Sequence, residues 1–113
     1  MEVLDFVKHV YSSLDEKKAE DIIVLDIRNL SSIADYFVIA SADSERGVKS
    51  LAENLSREIK KKFKIKVKID GADDSRWVII DNGDAMVHIF HSETRALYDI
   101  ESLWYEAKKV SGL

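Results

Sequence analysis

The chain has no cysteine among its 113 residues. Disulfides and thiolate metal sites are therefore excluded, and the composition fits a reducing compartment. Proline is also missing, which together with abundant Lys and Glu is compatible with a thermophilic source. No apolar run approaches the roughly 18 residues that a membrane-spanning helix needs. The opening "MEVLDFVKHV" mixes charges among its apolar residues and so lacks the uncharged core of a signal peptide. P-loop, G-x-G-x-x-G, G-x-S-x-G and H-E-x-x-H motifs are all absent, as are repeats, linkers and low-complexity segments. The expectation is one soluble cytoplasmic domain spanning residues 1–113, long enough for a single core.

What is present begins with charge. The net charge of −4 argues against general nucleic-acid binding by phosphate neutralisation. One stretch departs from that average: Lys60, Lys61, Lys62, Lys64, Lys66 and Lys68 lie close together in sequence. A solvated helix end running into an edge strand accounts for them; a contact to RNA phosphates is the alternative.

Apolar spacing outlines the elements. Val3, Phe6, Val7, Val10 and Leu14 follow a helical period, with Tyr11 alongside. "DIIVLDIR", residues 21–28, alternates as a strand with Ile23, Leu25 and Ile27 on one face. "DYFVIAS", residues 35–41, is apolar almost throughout, as in a strand covered on both sides. Val48, Leu51, Ala52, Leu55, Ile59 and Phe63 predict a long helix over 44–62, capped by Asp43 or Ser44. "KIKVKID", residues 64–70, alternates with Ile65, Val67 and Ile69 inward. Two strands then flank Asn82-Gly83, and short helices follow Ser92 and Asp99, the second carrying Leu103, Trp104, Ala107 and Val110 on one face. The order α-β-β-α-β-β-β-α-α predicts an α/β fold, a five-stranded mixed sheet with helices packed on it.

Asn-Gly between apolar runs signals a type I′ hairpin turn. A two-residue loop there sets Asp81 opposite Asp84, Ile79 opposite Met86 and Trp77 opposite His88. Alternation puts Trp77, Ile79, Asp81, Asp84, Met86, His88 and Phe90 on one face, and Arg76, Val78, Ile80, Ala85, Val87, Ile89 and His91 on the other. His88 and His91 thus diverge and cannot readily share a metal, and the two aspartates lie on the order of 13 Å from His88. No metal or other cofactor is expected. The second face is aliphatic, as a helix-covered core would be. The first mixes a large aromatic, a Met, a His and acids, as partner-binding surfaces do. The acid-x-acid pairs Asp43/Glu45 and Asp99/Glu101 stand where helices begin and complement the helix dipole.

The stretches "LSSIADYFVIASADSERGVKSLA" and "WVIIDNGDAMVHIFHSETRALYDIESLW" resemble the ribosomal silencing factor family, also called RsfS or Iojap. The resemblance runs from the first helix to Trp104 and rests on the order and spacing of several motifs. These are "SxADYFVIA", Ser44-x-Arg46, "W-x-x-x-D-x-G-D", "V-H-x-F" followed by His91, then Arg95, "YD" and "LW". Ala42, Gly47 and Ser92 stand where the family commonly has Gly, His and Pro. The resemblance implies a nucleotidyltransferase-like fold without enzymatic residues. It further implies binding to the large ribosomal subunit through its protein L-fourteen, a steric block to joining of the small subunit, repression of translation under nutrient limitation, and a homodimer when free. Carried onto this chain, the partner-binding candidates are Trp77, Asp81, Asp84, His88, His91, Arg95, Tyr98, Asp99 and Trp104. Two other readings remain: a nucleotidyltransferase or metal-assisted hydrolase using Asp81, Asp84 and a histidine, and an RNA binder using the lysine stretch.

Overall fold

A computed structural model describes residues 2–113. Helix α1 (Val3–Glu16) is followed by β1 (Glu20–Asp26), β2 (Tyr36–Ala42), α2 (Glu45–Phe63), β3 (Lys68–Asp70), β4 (Trp77–Asp81), β5 (Ala85–His91), α3 (Ser92–Tyr98), α4 (Ile100–Leu103) and β6 (Lys108–Lys109). The fold is α/β. Its mixed sheet has the order β3-β4-β5-β2-β1-β6, so it holds six strands rather than the expected five. The extra strand is two lysines paired with Leu25 and Asp26, too short for alternation to mark it.

The side-chain period sorts the core into two parts. Phe6, Val7, Val10 and Leu14 of α1 and Val48, Leu51, Leu55 and Ile59 of α2 pack on Val38, Ala40, Val78, Ile80, Val87 and Ile89 of the sheet. The opposite face carries a smaller cluster of Leu25, Ile27, Phe37, Ile39 and Phe90, covered in part by Ile100, Trp104 and Ala107. Strand β2 therefore lies between two apolar layers, and every residue from Tyr36 to Ser41 is buried. It pairs in parallel with β5, and α2 belongs to the crossover between them. Ser44 caps α2 by accepting from the Gly47 amide at 2.9 Å, relieving one of the unpaired donors of the first turn.

Three further expectations are corrected. The strand predicted over 64–70 shrinks to Lys68–Asp70, because α2 runs to Phe63 and Lys64 closes it in a left-handed conformation, φ 60°. Ile65 and Val67 still pack against the core, but Ile69 is exposed. The predicted second C-terminal helix is one turn, so Leu103, Trp104, Ala107 and Val110 do not form one face. Val110 joins the helix-side core, Trp104 and Ala107 join the other cluster, and Leu103 points to solvent.

The hairpin register is also displaced. Asp81 pairs with Met86, Ile79 with His88 and Trp77 with Phe90, not with Asp84, Met86 and His88. The cause lies in Asn82, whose side-chain oxygen accepts from the amides of both Asp84 and Ala85, while its own amide donates to the Ala85 carbonyl. Gly83 and Asp84 thereby become the central turn residues. Only Gly83 has positive φ, +97°, which departs from the type I′ turn expected. The displacement is two residues, an even number, so the strand side chains keep their predicted faces, while Asp84, expected on the Trp77 face, moves into the turn.

Candidate partner-binding face

The face away from α1 and α2 is built from odd-numbered residues of β1, β2 and β4 and mostly even-numbered residues of β5. On it a row of rings crosses the sheet. Trp104 meets Phe37 edge-on at 5.3 Å between centroids, and Phe37 meets His88 at 4.6 Å. His88 lies over Phe90, Trp77 stacks on Phe90 at 4.8 Å, and Tyr98 leans on Trp77 at 5.1 Å. Both ends of the row, Trp104 and Tyr98, come from the C-terminal segment. Ring pairs in tilted and edge-on arrangements gain quadrupole attraction beyond the area they bury.

One polar contact orders this row. The Trp77 Nε1–H donates to His88 Nδ1 at 3.1 Å, which leaves the proton of a neutral imidazole on Nε2. His88 is buried at 4% exposure, and its Nε2 has no protein partner. Burial pulls its pKa down to about 4, only partly opposed by the Asp81 carboxylate. It is therefore a neutral, inward-facing residue. Trp77 is half-buried.

The other candidates divide by environment. Arg95 is buried, and its guanidinium donates to Glu101 through Nε at 3.1 Å and Nη2 at 3.4 Å, with Nη1 reaching the Ser41 hydroxyl at 3.1 Å. It ties α3 to β2 and α4. Glu101, expected to serve the helix dipole, is instead the counter-ion of this arginine. His91 caps α3, its Nδ1 accepting from the Glu93 amide. Asp99 occupies a left-handed position, φ 42°, between α3 and α4 and accepts from the Ser102 hydroxyl. Asp81 accepts from the Gly83 amide, and the Asp84 carbonyl accepts from the amides of Asp35 and Tyr36. The two aspartates are not opposite one another, contrary to the expected register, and the same displacement brings Asp81 diagonally beside His88 instead of the expected distance of about 13 Å. Among the described residues, no three His, Asp or Glu side chains gather to hold a metal ion.

The C-terminal segment that supplies both ends of the row leaves several large apolar side chains exposed. Tyr98 is 58% exposed, and Leu97, Leu103 and Tyr105 are each nearly 80% exposed. Sequence spacing assigned Leu103 to a buried face and overlooked Leu97 and Tyr105. Their signal was the presence of four large apolar residues in a segment too short to bury them. Asp99, Glu101 and Glu106 are interspersed with them along the sequence, a mixture of large apolar and acidic residues like that of interface surfaces.

Residues 1–112 match the family described as "Ribosomal silencing factor during starvation". The "Ribosomal silencing factor RsfS" of Bacillus subtilis is 37% identical over 101 residues, covering 89% of this chain and 86% of that protein. A more distant relative, the mouse "Mitochondrial assembly of ribosomal large subunit protein 1", is 33% identical over 96 residues, covering 82% of this chain and 42% of that one. A crystal structure of a Chromobacterium violaceum protein superposes with a TM-score of 0.88 at 34% identity, covering 98% of this chain and 92% of that one.

Proposed function

Since the chain belongs to the ribosomal silencing factor family, we propose that it is a non-enzymatic regulator that docks on the large ribosomal subunit through protein L-fourteen. Bound there, it blocks joining of the small subunit and so represses translation under nutrient limitation. The observation that carries this reading is the ring row from Trp104 to Tyr98, both of whose ends come from a C-terminal segment that also leaves Leu97, Leu103 and Tyr105 exposed. Phe37, His88 and Phe90 form a buried base, on which half-buried Trp77 and Trp104 and exposed Tyr98 rest. Rigid aromatics held this way suit a docking surface, because they lose little conformational freedom on binding and gain from desolvation. The mouse relative's name supports the large subunit as the side of the ribosome concerned.

In this reading Trp77, Tyr98 and Trp104 make apolar contact, and Asp81, Asp84 and Asp99 supply the polar rim. His88, His91 and Arg95 hold the surface in shape. The chain acts as a single domain in the cytoplasm, on a nucleotidyltransferase-like scaffold put to non-catalytic use, and the same apolar face pairs two copies into a homodimer when no ribosome is bound. The hydrolase alternative lacks a ligand set: Asp81 lies diagonally beside His88, but Asp84 sits in the turn, and among the described residues no third acid or histidine joins them to hold a metal ion.

Co-sedimentation with purified large subunits tests the proposal. Stoichiometric binding at moderate salt is expected, together with fewer joined ribosomes when small subunits are added afterwards. Absence of binding, or binding that leaves joining unchanged, refutes it.

A further inference from the structure

A second surface lies apart from the aromatic row. No acidic residue occurs between Glu58 and Asp70, an interval that holds six lysines. With +6 there and −4 in total, the rest of the chain carries −10. All six lysines are exposed, and among the described residues none forms a salt bridge. The fold then concentrates them further. At Lys64 the backbone turns left-handed, φ 60°, and folds the chain back on the end of α2. Lys60, Lys61, Lys64 and Lys66 consequently line one open hollow of about 520 Å³, whose remaining wall is Ile65.

Helix polarity explains cations in the last turn of α2, and edge protection explains Lys68 on β3. Neither explains Lys64. A left-handed helix end is cheapest for glycine, and a side chain there adds a steric cost as well as a fourth like charge to the hollow. Four ammonium groups held together without a counter-ion repel one another, and a polyanion would relieve that repulsion.

The geometry points to this hollow as a binding surface for the sugar-phosphate backbone of RNA. The hollow is shallow and open, so it suits a passing chain rather than an enclosed small ligand. It is lined by lysines, with no arginine fork or exposed ring to read base edges, so recognition is of phosphate and independent of sequence. A membrane surface fits less well, because the apolar residues at the hollow, Phe63 and Ile65, are partly buried against the core rather than free to insert. This surface does not depend on the aromatic face. Its test uses isolated RNA, so its failure leaves the large-subunit reading standing, and the reverse also holds.

The experiment is fluorescence anisotropy of a short labelled RNA of arbitrary sequence titrated with the full chain at several salt concentrations. Affinity should fall about thirtyfold or more between about 50 and 200 mM salt, as expected for roughly three or four phosphate contacts. Changing Lys60, Lys61, Lys64 and Lys66 together to Gln should remove at least about tenfold in affinity at low salt and flatten the salt slope. Lys64→Gly separates structure from binding: its melting temperature should hold or rise while the salt slope falls by about one contact. Undetectable binding at low salt overturns the proposal, as does a slope unchanged in the quadruple variant. Capture by phosphatidylserine vesicles without RNA binding would assign the surface to membranes instead.

Discussion

Trp77 and His88 are hydrogen-bonded across the β4–β5 hairpin although neither stands opposite the other. Trp77 pairs with Phe90 and His88 with Ile79, yet the indole Nε1–H reaches diagonally to Nδ1 of the imidazole at 3.1 Å. That bond exists only while Nδ1 is unprotonated, so the indole, the imidazole and the solvent pH are linked.

The linkage makes stability depend on pH. His88 titrates at about 4 in the folded protein because burial disfavours its charged form, against an ordinary value of 6.5. Between these values the unfolded chain holds more protons, so acid favours unfolding. The contribution is fully present above about pH 6.5 and is lost as pH falls toward 4, by about 3 kcal/mol in all and about 2 kcal/mol by pH 5. Urea unfolding at pH 7.5 and pH 5 should show this loss in the native chain, and His88→Gln should show much less of it. An equal loss in the variant would place the acid sensitivity elsewhere.

Arg95 is expected to act through the fold. Its side chain is buried between Glu101, the Ser41 hydroxyl and the Glu20 carbonyl. Arg95→Ala strands these acceptors, but Glu101 is partly exposed and can be re-solvated, so the cost should be about 2 kcal/mol rather than the full penalty of a buried pair. Arg95→Lys should recover only part of it, since one ammonium cannot reproduce the fork. Denaturation midpoints measure both. Unchanged midpoints with lost large-subunit binding would make Arg95 a direct contact instead.

Gly71 supports the site from outside it. Its φ is +83°, and a Cβ there would run into the Trp77 carbonyl. Gly83 has φ +97° but open space around it. Gly83→Ala should therefore cost only the backbone strain, about 1 kcal/mol, while Gly71→Ala adds a clash and should cost about 2 kcal/mol or more. Trp77 fluorescence should shift in the second variant and stay put in the first. Equal costs and unshifted emission would mean the 71–76 loop moves aside freely.

Such dependencies define what the sequence could reveal. Apolar spacing located α1, β1, β2 and α2 because each buries a face of the matching period, and the apolar run of β2 announced cover on both sides. Face assignment in the hairpin survived because a slip of two residues keeps parity. The register itself was lost because it depends on where the Asn82 side chain bonds, and the Asn-Gly rule says nothing of that. Strand β6 escaped notice because two lysines carry no period. The role of Arg95 depends on Ser41, 54 positions away, and no local pattern reports such a pair. Among the site residues, the ring row was half legible: Trp77, His88 and Phe90 shared a predicted face, but Phe37 joins them only through the parallel pairing of β2 with β5.

Tyr98 and Trp77 offer the sharpest separation of docking from folding. Tyr98 is mostly exposed and touches the sheet through Trp77 alone among the rings. Trp77 is half-buried, stacked on Phe90 and bonded to His88. Tyr98→Ala should cost less than about 1 kcal/mol in stability, because it removes little buried area, yet weaken large-subunit binding by about 2 kcal/mol, roughly thirtyfold, if the ring is an anchor. Trp77→Ala should lose binding too, but also about 2–3 kcal/mol of stability, somewhat below the range for a fully buried aromatic. Trp77→Phe retains the stack and loses the donor, so it should recover most of the stability. Melting temperature and large-subunit affinity measured on all three variants decide the matter. Should Tyr98→Ala bind as tightly as the native chain, the exposed end of the ring row is not the docking surface, and the partner must approach from another side.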